Sequence, residues 1–355
     1  MDNRAVFALI VALALPACGS HTVDLDSRVV VEPSSDPGMV AIVHERVQKL
    51  AVDDERLYWI GTNPAVNGVG SGWSLHSCQK RDCATTLVTY ASELYSTYED
   101  FAVRGGQIYW EHLEALVACP IAGCVGLPRT VVDALQIWVA AFDDDRIYTF
   151  DQSWSDFASL PLVQPGPLRA VAPAHGVTAV ALHDVYAYWL TSKGADMQLL
   201  RARKDGSSAV EGIADTVRFT QSYDFSFATD STSIYWTSNA LVGSITRCPL
   251  SGCTGTTAET VLGPLRAPQK LLIDGSTLYY VYEAGYYQYA LARCTLPACQ
   301  SPEPVVDHLS ASGALAVDDQ SLYVAMTGGD TNPQHFIEDP VTGIRRMPKP
   351  DQGMP

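Results

Sequence analysis

Basic residues are scarce in this sequence: 23 lysines and arginines stand against 39 aspartates and glutamates, a net charge of −16 over 355 residues. So acidic a chain repels nucleic-acid phosphates and anionic headgroups, which excludes DNA and RNA as partners. Long apolar runs are missing as well, since none reaches the ~18 residues of a membrane-spanning helix. The common catalytic signatures are absent too. There is no Gly-x-Ser-x-Gly elbow, no phosphate-cradling glycine loop with its lysine, no His-Glu-x-x-His and no dinucleotide fingerprint. Neither a catalytic residue nor a cofactor is therefore expected. What the chain has in quantity is apolar side chains, 47% of the total, which excludes wholesale disorder.

The first residues read MDNRAVFALIVALALPACGS. Residues 5–15 are all apolar, too short a run to span a bilayer but suited to a secretory signal core. The run ends in Leu15-Pro16-Ala17-Cys18, which resembles a bacterial lipobox. That resemblance implies a signal peptide over residues 1–17, lipid attached to Cys18, and a lipid-anchored protein of the bacterial cell envelope, held to the membrane by that anchor alone. Ordinary cleavage after Ala17, giving a soluble exported protein, is the other reading. Residues 18–37, rich in Ser, Asp and Pro, are expected to form a flexible tether, and residues 38–355 a single domain.

Internal repetition dominates the rest. An apolar residue followed by aromatics recurs at Leu57-Tyr58-Trp59, Ile108-Tyr109-Trp110, Ile147-Tyr148, Ala187-Tyr188-Trp189, Ile234-Tyr235-Trp236, Leu278-Tyr279-Tyr280 and Leu322-Tyr323. The tyrosines lie 51, 39, 40, 47, 44 and 44 residues apart, the length of a four-stranded propeller blade. Upstream of each Tyr stands a column of small residues, Ala51, Ala102, Ala141, Ala181, Ala228 and Ala316, broken only by Leu272. Bulkier apolar residues flank most of that column. Strand side chains alternate between faces, so each first strand is expected to set a small face against a bulky face of its neighbour. Asp- and Gly-rich pairs or triplets such as Asp53-Asp54-Glu55 and Asp143-Asp144-Asp145 separate the first two strands and read as hairpin turns rather than calcium loops.

Eight of the nine cysteines form pairs of one spacing: Cys78/Cys83, Cys119/Cys124, Cys248/Cys253 and Cys294/Cys299. In the fourth repeat both positions change together, to Ala202 and Ser207. Cysteines lost as couples behave as disulfides, each closing the hairpin between strands three and four. Zinc is disfavoured because separate blades hold the pairs apart and exported thiols oxidise. Residues 39–44 lack a repeat of their own, and the seventh repeat runs out after its third strand. The two segments are expected to pair, so that the chain ends complete one blade. The fold class is therefore all-β: a seven-bladed β-propeller of four-stranded antiparallel blades, its last blade closed by residues 39–44.

The Tyr-Trp repeat, best seen in Ile234-Tyr235-Trp236-Thr237-Ser238, resembles the YWTD-type propellers of LDL-receptor-like proteins. That family typically has six blades and carries an Asp after Trp-Thr, which this chain lacks. The resemblance implies a propeller and partner binding on one face, and no catalytic residue carries over. Residues at the start of the first strands, Lys49, Asp100, Trp138, Asp224 and Lys270, are expected to ring the channel mouth, either as a polar ligand site or as a solvated rim. Tyr286 and Tyr287 are candidates for stacking on a sugar or a partner surface. The loop histidines His112, His175 and His335 are read as solvated. The expected role is a binding or scaffold module for an envelope protein or polysaccharide. The alternative is a propeller hydrolase or lyase with a metal-assisted site at the channel mouth.

Overall fold

The computed structural model describes residues 31–32, 36, 38–62, 72–94, 101–112, 115–133, 138–150, 156–162, 166, 168–173, 177–193, 196–217, 226–238, 242–254, 258–285, 288–309, 313–327 and 342–349. Every regular element among them is a β-strand. The first sheet runs outward through Arg46–Val52, Arg56–Thr62, Trp73–Gln79 and Val88–Leu94, all antiparallel. Phe101–Arg104, Gln107–His112, Ala115–Pro120 and Arg129–Asp133 form the second sheet. Trp138–Phe142, Arg146–Phe150, Asp156–Pro161 and Arg169–Pro173 form the third. The fourth holds Val177–His183, Tyr186–Lys193, Asp196–Arg203 and Glu211–Val217, and the fifth Phe227–Thr229, Ser233–Ser238, Gly243–Pro249 and Glu259–Leu265.

The remaining strands make one nine-stranded sheet in place of two separate blades. One part of it is Leu271–Asp274, Thr277–Gly285, Gln288–Thr295 and Glu303–Leu309. The other part is Leu315–Val317, Ser321–Thr327, Thr342–Pro348, Met39–Val43 and Val31–Glu32. A single residue pair, Leu309 with Met326, joins the two. The expectation of seven distinct four-stranded blades is thus met by five, because that one bridge fuses the sixth and seventh repeats into a continuous sheet. Innermost strands adjoin one another around a centre: Leu315–Val317 lies beside both Arg46–Val52 and Leu271–Asp274, and Val177–His183 lies between Trp138–Phe142 and Phe227–Thr229.

Alternation along the second strands explains the aromatic repeat. Tyr58 points into a buried cluster shared with Phe101, Ile108 and Trp110 of the second sheet. Its neighbours Leu57 and Trp59 point the other way, into a cluster with Ala316, Tyr323 and Ile344. The same division recurs: Tyr188 packs forward against Ile234 and Trp236, while Ala187 and Trp189 pack back against Tyr148 and Phe157. The small-residue column follows suit. Ala316 meets Leu50 and Val52, Ala51 meets Phe101 and Val103, and Ala141 meets Val180 and Leu182. Ala102 is 9% exposed, so Ala102→Leu is expected to overpack its surroundings and cost about 1–3 kcal/mol, read as a lower urea midpoint at unchanged slope.

The two ends of the chain share a sheet, as the repeat phase requires. Met39, Ala41, Ile42 and Val43 pair antiparallel with Arg345, Ile344, Gly343 and Thr342. Ala41 and Val43 are fully buried there. Val31 and Glu32, inside the segment expected as a tether, add a further short strand against Val43 and Ile42. Strand pairing among the described residues therefore includes two positions upstream of residue 38. That strand covers an edge which would otherwise offer unpaired backbone groups to other chains.

Candidate functional site

Turn chemistry fixes the hairpins that hold each inner strand. In the first unit Asp53 Oδ1 accepts the backbone N–H groups of Glu55 and Arg56 at 2.9 and 2.7 Å, and Oδ2 accepts the Tyr58 hydroxyl at 2.6 Å. Asp143 with Tyr148, Asp230 with Tyr235 and Asp318 with Tyr323 repeat the arrangement at hydroxyl distances of 2.9, 2.7 and 3.0 Å. The Asp clusters are indeed turns, and each first Asp also anchors the column tyrosine. Lysines from the following unit then reach back: Lys80 to Asp318 at 2.6 Å, Lys204 to Asp143 at 2.8 Å and Lys349 to Asp274 at 2.6 Å. Elsewhere Tyr90 donates to the Ile121 carbonyl and Arg247 to that of Pro297. Arg201 bridges in the same way to the Leu250 carbonyl.

Desolvation raises the Asp318 carboxyl, but hydrogen bonds from Lys80, Gln320, Ser321 and Tyr323 outweigh it and hold the group below its ordinary range. Burial and the Asp318 contact push Tyr323 up to about 12. The signs follow by linkage. A carboxyl depressed in the folded state contributes stability above its unfolded pKa of about 4 and loses it as pH falls through the folded value. A raised phenol contributes fully below about pH 10 and loses that as pH climbs toward its folded value. Asp318→Asn is therefore expected to flatten the acid limb of the stability profile below pH 4 and, because it removes the charge that helps raise Tyr323, to make the alkaline limb shallower as well. Urea midpoints across the pH range measure both.

A fully buried polar cluster sits where the closing strand turns into the first sheet. Glu45, with no exposure, accepts the Ser74 hydroxyl at 2.6 Å, the Trp59 indole N–H at 3.2 Å and His76 Nε2 at 3.1 Å. With the Nε2 proton facing the carboxylate, His76 Nδ1 accepts the Thr89 hydroxyl at 3.0 Å. The Glu45 carbonyl accepts the Thr342 hydroxyl at 2.6 Å from the partner strand of the closure. Gly61 leaves room for this, because a Cβ there would collide with Glu45 Oε2. Ser74 and His76 both converge on the carboxylate, so the hydroxyl does not face the imidazole. The cluster is a clasp and not a nucleophile with its base.

All four cysteine pairs are disulfide-bonded, each across the tip of its hairpin: Cys78 to Cys83, Cys119 to Cys124, Cys248 to Cys253, and Cys294 to Cys299. A cleft of about 280 Å³ opens between the third and fourth sheets, lined by Asp143, Asp145, Arg146, Arg169, Asp184 and Arg203 among others. Its charges are mixed, and Asp143 and Arg146 are already engaged in the turn. Among the described residues no three His, Cys, Asp or Glu side chains come together to hold a metal ion.

The centre of the ring is the remaining candidate. Lys49 lies on the innermost strand of the first sheet, half-buried, and donates from Nζ to the Phe101 carbonyl at 3.1 Å. The same Nζ stands 5.4 Å from the centroid of the Phe101 ring. Desolvation, then the like charges of Lys270 and Arg104, push its ammonium down to about 7. Of the expected rim, the structure thus brings Lys49 and Lys270 within electrostatic reach and adds Arg104, which the sequence did not single out. Trp138 begins an inner strand, Trp138–Phe142. Asp100, Asp224, Tyr286, Tyr287, His175, His335 and Cys18 lie outside the described residues, and His112 ends the strand Gln107–His112.

No protein-family model and no curated protein matches this chain. Solved structures do. The chain is similar to acylaminoacyl peptidase from Pyrococcus horikoshii, with a TM-score of 0.55 at 9% identity over 80% of this chain and 49% of that one. Similar too is the β-propeller domain of the Trilobed protease from Pyrococcus furiosus, with a TM-score of 0.54 at 8% identity over 79% of this chain and 89% of that one. A puromycin hydrolase mutant aligns with a TM-score of 0.51 at 15% identity over 80% and 50%. The chain spans about half the length of the acylaminoacyl peptidase and of the hydrolase. The Trilobed domain is described as an open velcro, whereas here the first and last strands of the ring pair. At such identities the likeness establishes the fold alone: this chain is a β-propeller of four-stranded antiparallel blades.

Proposed function

We propose that the chain is a seven-bladed propeller, exported and lipid-anchored through Cys18, that binds an envelope protein or polysaccharide at the mouth of its central channel. The seven-unit reading is supported by the buried clusters, which lie between every pair of successive repeats and between the last and the first. Export is supported by the cystines, since such bonds persist in oxidising compartments and not in the cytosol. One observation carries the binding reading: Lys49 and Lys270 each stand two residues before the small-residue column, on or just before inner strands that both adjoin Leu315–Val317, so two basic side chains are offered to the centre of the ring.

Immobilised protein starting at residue 19 tests this against envelope extract and purified cell-wall polysaccharide. Saturable retention that falls when Lys49 and Lys270 are both changed to Glu is the expected result, and retention indifferent to that double change would remove the channel from the reading. The hydrolase alternative gains support from the peptidases and hydrolase among the similar structures. Stoichiometric metal in the purified protein, together with turnover of ester or amide substrates, would favour that alternative.

A further inference from the structure

We propose that the cleft between the third and fourth sheets binds a small zwitterion, an α-amino acid or short peptide with a free ammonium and a free carboxylate. The cleft stands apart from the channel mouth, since Trp138 opens the inner strand Trp138–Phe142 and the cleft residue Asp143 follows its other end. Its volume of about 280 Å³ lies close to the lower end of small-molecule sites, about 300–1,000 Å³. The seam itself is unusual, because neither flanking hairpin carries a cystine. Ile147 pairs with Leu160 and Ala187 with Ala202, where Ile234 and Leu278 pair with Cys248 and Cys294. Five residues on, Pro165 and Ser207 take the place of the second cysteine. No other two successive units both lack the staple. Two contacts nonetheless hold the walls of the cleft in place. Lys204 Nζ meets Asp143 at 2.8 Å, and Gly206, at φ +71, lies where a Cβ would stand 3.0 Å from the Ala170 carbonyl oxygen.

Charge decides the ligand class. Four acidic and four basic side chains line the cleft, so no net charge favours a plain anion or a plain cation. Several are already engaged: Asp143 with Lys204 and Tyr148, Arg146 with Ser159, and Arg203 with Ser207 and Asp205. Among the described residues, the side chains of Arg169, Asp145 and Asp184 form neither an ion pair nor a hydrogen bond, with one another or with any other group. Asp184 is held besides at φ +48, at the turn position where the sixth unit has Gly275 at φ +55. A carboxylate thus stands where the backbone favours glycine, and strain of that kind collects at ligand sites. A ligand bearing one charge of each sign serves all three groups. Its carboxylate matches the planar guanidinium of Arg169, which can donate two parallel hydrogen bonds, and its ammonium suits Asp145 and Asp184. An anion alone would meet those two carboxylates, and a cation alone would meet Arg169.

Calorimetric titration of the full chain with the dipeptide alanylalanine tests this, beside its N-acetyl form, which lacks the ammonium, and its amide, which lacks the carboxylate. Saturable binding of the dipeptide is expected, about tenfold or more tighter than that of either blocked form. Arg169→Met is expected to bring the dipeptide down to the level of its amide while the amide itself is unaffected. Asp184→Gly, which suits the left-handed backbone, is expected to narrow the gap between the dipeptide and its N-acetyl form. Arg129→Met, on the outer strand of the second sheet, is expected to leave all three affinities unchanged. Neither cleft substitution breaks an ion pair, so both variants are expected to melt no lower than the parent, which separates lost binding from lost folding. No saturable heat with the dipeptide, equal affinity for all three forms, or binding untouched by both cleft substitutions overturns the proposal. The channel reading is tested through Lys49 and Lys270 instead, so either site can fail without the other.

Discussion

A chain starting at His44 is expected to melt on the order of 10 °C below one starting at Val31, in a calorimetric scan of both. The shorter chain lacks Met39–Val43 and Val31–Glu32, so Thr342–Pro348 loses its outer neighbour. Two fully buried side chains, Ala41 and Val43, vanish from a cluster that also holds Val47, Leu50, Trp59 and Tyr323. Burying one valine is worth roughly 1.5–3 kcal/mol, and the lost ladder bonds and exposed cluster add to it. A synthetic peptide of residues 38–45, added in excess, is expected to restore part of the difference by occupying the vacated edge. Equal melting of the two chains would mean that closure contributes nothing to stability.

Glu45→Ala is expected to destabilise the fold by about 3–5 kcal/mol, because it strands three buried donors at once. Ser74, His76 and the Trp59 indole all point at the carboxylate, and their burial keeps solvent from taking its place. Glu45→Gln keeps one acceptor oxygen and the side-chain volume, so about half that cost is expected. Denaturant unfolding of the two variants measures both numbers. A loss below about 1 kcal/mol for the alanine variant would show that the clasp is replaceable. The effect is separable from the truncation above, since the chain starting at His44 retains Glu45.

The repeat was legible in sequence because its signal is local. Tyr58 and its six counterparts recur at blade length, and the alternation of strand side chains sends each Tyr to one seam and its neighbours to the other. The cystines were legible for the same reason, each spanning one short hairpin. Asp53, Asp143, Asp230 and Asp318 were readable as turn residues, but their second oxygen on the tyrosine was not. Turn propensity accounts for the Asp without asking what the far carboxylate oxygen does. Lys80, Lys204 and Lys349 escaped notice because their partners lie on the neighbouring unit, and Lys80 meets an Asp from the opposite end of the chain. Glu45 looked like one more acidic residue in an acidic sequence. Only the closure, which wraps Ser74, His76 and Thr342 around it, gives that carboxylate its meaning. Lys49 and Lys270 are read at the rim from register alone, while Arg104, whose charge acts on Lys49 from the far end of its strand, carries no pattern of its own.

Closure by two distant segments also governs the order of assembly. Until the ribosome has delivered Thr342–Pro348, Met39–Val43 has no neighbour on that side and stays a bare, valine-rich ribbon. Early units can stack first, yet the circle cannot latch before Thr342–Pro348 has joined. Up to that point the stack of units is open at one seam and its first strand is adhesive, and a holding chaperone would find its natural target there.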